Sequence, residues 1–87
     1  MILEIGQSIT LSDNMEYIIS SKIDYNGETY YMLSNKENID NLQICYLTKE
    51  DDRTYVTELT NDALSNQEIN VIMKLLSEEA LRFLETA

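Results

Sequence analysis

Asn26-Gly27 stands between two runs of alternating residues, and no other feature constrains the chain as tightly. Asn and Gly tolerate positive φ, which a type I′ hairpin turn requires at both central positions. The flanking runs are residues 16–25 and 28–34. In the first, Tyr17, Ile19, Ser21, Ile23 and Tyr25 alternate with Glu16, Ile18, Ser20, Lys22 and Asp24. That is the period of a strand with one buried face. A two-residue turn also sets register, so Tyr25 must face Glu28 and Ile23 must face Tyr30. On this register Ile19, Ile23, Tyr30 and Met32 share the core face. Tyr31 joins Ile18 and Leu33 on the other.

The rest of the chain reads as strands followed by a helix. Residues 8–11 form a short first strand, and Ser12-Asp13-Asn14 a turn whose polar side chains bond the local backbone. A polar loop over 35–41 leads to strands at 42–49 and 54–59, joined by the acidic turn Glu50-Asp51-Asp52-Arg53. Both of these strands carry apolar residues on both faces, so which face points inward stays open. Ser65 and Glu68 have the spacing of a capping box, with Leu64 and Ile69 at the staple positions. Ile69, Ile72, Met73, Leu76, Ala80, Phe83 and Leu84 then recur at helical spacing, and Glu78 and Arg82 make a favourable i,i+4 pair. The expected fold is α+β. An antiparallel meander of four to five strands over 8–59 carries a C-terminal amphipathic helix over 65–86, packed on one face. No Pro/Gly/Ser-rich linker divides residues 1–87, so one domain is expected.

Charge and residue usage remove whole classes of function. With 16 acidic against 6 basic residues the formal net charge is −10. A free nucleic-acid binder needs a basic footprint, and an anionic membrane surface would repel this chain. The chain has no His, which leaves no ordinary general base near neutral pH and no Cys/His zinc pattern. Cys45 is the only cysteine; it is flanked by Ile44 and Tyr46 and reads as structural. Glu50, Asp51 and Asp52 lack the ligand spacing of a calcium loop and read as a solvated turn. Two glycines cannot build a P-loop or a dinucleotide fingerprint. The expectation is a protein that is not an enzyme and takes no cofactor or metal. The lone cysteine and the lack of a signal-like or membrane-spanning apolar run suggest a cytoplasmic location.

The residues 8–11, a turn, and then the run Lys22-Ile23-Asp24-Tyr25-Asn26-Gly27-Glu28-Thr29-Tyr30-Tyr31-Met32-Leu33 resemble the DUF1292 family of small acidic bacterial proteins. Members carry a similar acidic, aromatic hairpin with a Gly and a following Tyr, and an acidic turn between two later strands. The resemblance spans roughly residues 8–62 and implies no activity, because the family has none established.

Two functional readings follow. The first is a non-catalytic protein–protein interaction module. Tyr is favoured at interfaces for its apolar body and polar tip. Ile18, Tyr31 and Leu33 on the second sheet face, and the flanking helical pair Val71 and Leu75, are its candidate contacts. A helix of about 33 Å would overhang strands of about 17–20 Å, offering Ala80, Phe83 and Leu84 to a partner or to a second copy in a homodimer. The alternative is an acidic nucleic-acid mimic that inhibits a nucleic-acid-binding enzyme, in the manner of phage anti-CRISPR proteins. Carboxylates of Glu37, Asp40, Glu50, Asp51, Asp52 and Asp62 would stand in for phosphates.

Overall fold

A computed structural model describes residues 3–38 and 40–86, with side chains up to Arg82. Five strands, β1 (Ser8–Thr10), β2 (Glu16–Tyr25), β3 (Glu28–Asn35), β4 (Leu42–Glu50) and β5 (Arg53–Glu58), precede one helix, α1 (Asn66–Thr86). The strands lie in the order β1-β2-β3-β4-β5 and every pair is antiparallel, so the sheet is a simple meander that curls. The expected α+β fold is the one found.

The hairpin forms as its turn demands. Asn26 and Gly27 take φ of 50° and 82°, and Tyr25 pairs with Glu28 and Ile23 with Tyr30. Further along, the register slips: Ile19 pairs with Leu33, whereas Ser21 pairs with Met32. Ser20 is therefore an extra residue, a β-bulge. Its hydroxyl donates to the carbonyl of Met32 at 3.1 Å, and Ser34 donates to Ser20 Oγ at 3.3 Å.

The bulge moves half of β2 to the opposite face. Tyr17 and Ile19 join Leu3, Tyr31, Leu33 and Cys45 in an inner core, with Ile9, Leu11, Leu47 and Val56 packed against it. Ile23 and Tyr25 instead pack against an outer core of Tyr30, Met32, Ile44, Ile72 and Leu76 beneath the helix. Ile19 thus departs from the expected face it would share with Ile23. The open question of β4 and β5 is also answered: Cys45, Leu47 and Val56 face the inner core, and Ile44 and Tyr46 the outer one.

Three further expectations are corrected. Tyr31 and Leu33 do not form an exposed face, since they are 4% and 0% exposed. The curled sheet buries that face on itself. Ile18 does not join them: it pairs with Ser34, out of phase with Ile19 and Leu33, and is half-buried. Met73 leaves the buried stripe and is 47% exposed, because α1 lies chiefly on β2 and β3 and its contact line runs through Ile72 and Leu76.

The helix is capped at Ser65 as expected, with one half of the capping box formed and the Glu68 carboxylate meeting the Ser65 hydroxyl instead of its N–H. Glu68 N–H donates to Ser65 Oγ at 3.3 Å, Ser65 Oγ–H donates to Glu68 Oε1 at 3.3 Å, and Ile69 N–H donates to the Ser65 carbonyl at 3.0 Å. Near its other end Arg82 pairs with Glu79 at 3.0 Å. Among the described residues no helix is long and apolar enough to cross a membrane.

Candidate interaction site at the open seam of the sheet

A sheet that curls without closing keeps two edges, and here they are β1 and β5. The phase of their hydrogen bonds can be worked out from single contacts. Leu59 N–H donates to the Ile44 carbonyl at 2.8 Å, one pair beyond Glu58 opposite Cys45. Residues of an antiparallel pair alternate between exchanging both backbone bonds and exchanging none. Arg53, Tyr55 and Thr57 therefore turn their backbone groups to β4. Thr54, Val56 and Glu58 turn theirs outward, where among the described residues no strand pairs with β5. On β1, Ile19 N–H donates to the Gln7 carbonyl at 3.0 Å and Leu11 N–H to the Met15 carbonyl at 3.1 Å, so Ser8 and Thr10 are the outward residues.

Between these edges runs an open groove of about 530 Å³. Ile9 and Leu11 line it from one side and Val56 from the other, with Leu3 and Cys45 also contributing. Among the described residues the charged ones along it are Asp13 and Glu58. Asp13 is held in place: its Oδ1 accepts from Met15 N–H at 2.9 Å and its Oδ2 from the Tyr17 hydroxyl at 3.0 Å. That hydroxyl in turn accepts from Gln43 Nε2 at 3.0 Å. Glu58 is exposed.

The sheet edges differ in how they are protected. β1 is three residues long, and the free half of β2 carries the Ser20 bulge and the charges of Lys22 and Asp24. Short strands, bulges and charges are the devices that keep an edge from pairing with another chain. In β5 the residues from Thr54 to Thr57 carry no charge, no Pro and no bulge.

The residues singled out from the sequence fall elsewhere. Tyr31 and Leu33 are in the inner core and Ile18 is half-buried. Val71 is 41% exposed on the helix. Leu75 is half-buried and lines a second groove, of about 660 Å³, with Lys22, Asp24, Glu78, Glu79 and Arg82, a lining of mixed charge. The side chains of Phe83 and Leu84 lie outside the described residues. Glu50, Asp51 and Asp52 are exposed at the β4–β5 turn, where Asp51 takes φ of 57°. Glu37 and Asp40 lie in the loop at the other end of β4, a nine-residue strand, hence about 30 Å away. Among the described residues no three His, Cys, Asp or Glu side chains come together to hold a metal ion. Cys45 is buried, and desolvation pushes its thiol up to about 12.

Thr54, Val56 and Glu58 were not visible as a site from the sequence, because backbone groups make it. The signal that was present is the uncharged, β-branched and aromatic run Thr54-Tyr55-Val56-Thr57. Compared with family models, curated proteins and solved structures, the chain matches none.

Proposed function

We propose that the chain is a non-catalytic protein–protein interaction module whose contact surface is the free edge of β5 and the groove beside it. One observation carries this reading. Thr54, Val56 and Glu58 present backbone donors and acceptors that no described strand pairs with, on an edge uncharged from Thr54 to Thr57 and beside a groove lined in part by Ile9, Leu11 and Val56. Such an edge is a template for an incoming strand. The burial that keeps Cys45 a protonated thiol speaks against nucleophilic chemistry at the one residue suited to it. The mimic reading draws less support, because its acids are divided between the two ends of β4 rather than set in one row. The hairpin's likeness to the DUF1292 family stays a proposal and adds no activity.

The test uses Thr54→Pro. Pro is tolerated on an edge strand where the lost N–H faced outward. The full-length protein and the variant are compared in capture of host proteins, with thermal melts as the folding control. Partners lost by a variant that melts like the parent support the edge. Partners retained by that variant overturn it.

A further inference from the structure

The seam between β1 and β5 has a chemistry that specifies what would close it. Val56 stands opposite Leu47 and Glu58 opposite Cys45, so the side chains of Val56 and Glu58 share the inner face with the groove. The same two residues aim their backbone groups outward. A strand added to β5 would hydrogen-bond to Val56 and Glu58 and place the side chains opposite them in the groove as well. One of those positions meets Val56, Ile9 and Leu11; the next, two residues away, meets Glu58. Asp13, the other charge on the groove, is also acidic, and the whole chain carries −10.

We infer that this seam binds an extended segment of another protein with a basic residue and an aliphatic residue two positions apart, added antiparallel to β5 as a sixth strand. The inference rests on the interaction reading above and names the partner's chemistry. A second copy of this chain is the disfavoured occupant, since it would bring a second acidic edge and another −10 to the seam. In the antiparallel arrangement the basic residue precedes the aliphatic one, with Lys or Arg opposite Glu58 and Val, Ile or Leu opposite Val56. The curled sheet is antiparallel throughout, which favours this direction for the new strand.

The probe is a capped synthetic peptide with Lys and Val two positions apart in a background of Thr and Ser, titrated into the intact protein. Binding is read by anisotropy, and its location by amide hydrogen exchange. Two control peptides replace Lys by Glu, or set Lys and Val side by side. The expected result is slowed exchange at Thr54, Val56 and Glu58 and an affinity about tenfold higher for the Lys peptide than for the Glu peptide. Glu58→Lys, a change at an exposed residue, should reverse that order. If the Glu peptide protects the same amides equally well, the edge reading stands and the basic partner is overturned. If the side-by-side peptide binds as well, the strand register is overturned. If the Lys peptide leaves all three amides unprotected, strand addition is overturned whatever its affinity. If these amides become protected with rising protein concentration and no peptide, the occupant is a second copy and the inference fails.

Discussion

Tyr30 and Tyr31 are neighbours in β3, and both are buried, at 7% and 4% exposure, on opposite faces of the sheet. Tyr30 lies under the helix, with its ring 6.0 Å from that of Tyr46 at an interplanar angle of 62°, an edge-to-face contact. Tyr31 lies in the inner core with Leu3, Leu33 and Cys45. One strand thus serves two cores. The single helix covers the outer face over β2 and β3 and is not available to the inner one. The inner face can be buried only by curling the sheet onto itself. Five strands do not complete that closure, and the gap they leave is the seam between β1 and β5.

Leu33 is 0% exposed at the centre of the inner core, so Leu33→Ala should destabilise the fold by about 2–5 kcal/mol. A domain of this size has a total stability on the order of 5–15 kcal/mol, so the loss would be large. Val71→Asp on the exposed helix surface should change stability by only about 0.5 kcal/mol. Urea denaturation of both variants checks the contrast. Equal effects would mean that the inner face is not a core.

The hairpin was legible because its turn is written in two residue types that few other positions need. The helix start was legible for the same reason, through Ser65 and Glu68. The bulge was not. Tyr17, Ile19, Ile23 and Tyr25 keep one two-residue period across the strand, so an extra residue at Ser20 shifts the faces while that period runs on unbroken. The only trace is two adjacent small residues, Ser20 and Ser21, in the middle of a strand. Alternation alone puts Tyr31 and Leu33 on the surface, because a sheet with one helix ordinarily has one buried face. Curling depends on how the strands coil together, which alternation does not encode. The β5 edge was hidden for a different reason: hydrogen-bond phase belongs to the backbone, and side-chain chemistry does not report it.

Ser21 gives a second prediction. It is 1% exposed, opposite Met32 at the bulge, and its hydroxyl finds no hydrogen-bond partner among the described residues. Burying an unpaired hydroxyl costs roughly 1–3 kcal/mol. Ser21→Ala should therefore be neutral or stabilising by about 1 kcal/mol. Ser21→Leu should destabilise by about 1–3 kcal/mol through overpacking. Thermal melts decide the matter, and a clearly destabilised Ser21→Ala would show that the hydroxyl is bonded after all.

Asn35 is the opposite case, a buried polar side chain whose oxygen and amide nitrogen both find partners. It is 2% exposed, and its Oδ1 accepts from the N–H groups of Glu37 at 2.8 Å and Asn38 at 3.1 Å. Its own N–H donates to the Asn41 carbonyl at 3.2 Å, so one residue bonds to both the start and the end of the β3–β4 loop. Asn35→Ala leaves two backbone donors without their acceptor and should cost about 1–3 kcal/mol. Amide exchange at Glu37 and Asn38 should quicken more than exchange in β2. Unchanged exchange at these two amides would refute the assignment.

The final prediction concerns alkaline pH. Burial pushes the Cys45 thiol from its ordinary 9.0 up to about 12. The Tyr30 and Tyr31 hydroxyls are also raised above 10.0, first by burial; Glu28 adds to the shift for Tyr30, and Cys45 for Tyr31. Each group holds its proton more tightly in the folded chain than in the unfolded one. The unfolded state therefore binds fewer protons above its own pKa, and stability falls as pH rises. For Cys45 the contribution is complete below about pH 8.5, where the unfolded thiol is still protonated. It is lost as pH climbs towards about 12. The urea midpoint should accordingly decline from about pH 9 upward, and Cys45→Ala should shift the onset of that decline towards the tyrosine range. At pH 8 a disulfide reagent should label Cys45 only as fast as the protein opens, with urea accelerating the reaction. Labelling of the native protein at the rate of a free cysteine would mean that the thiol is not in the inner core.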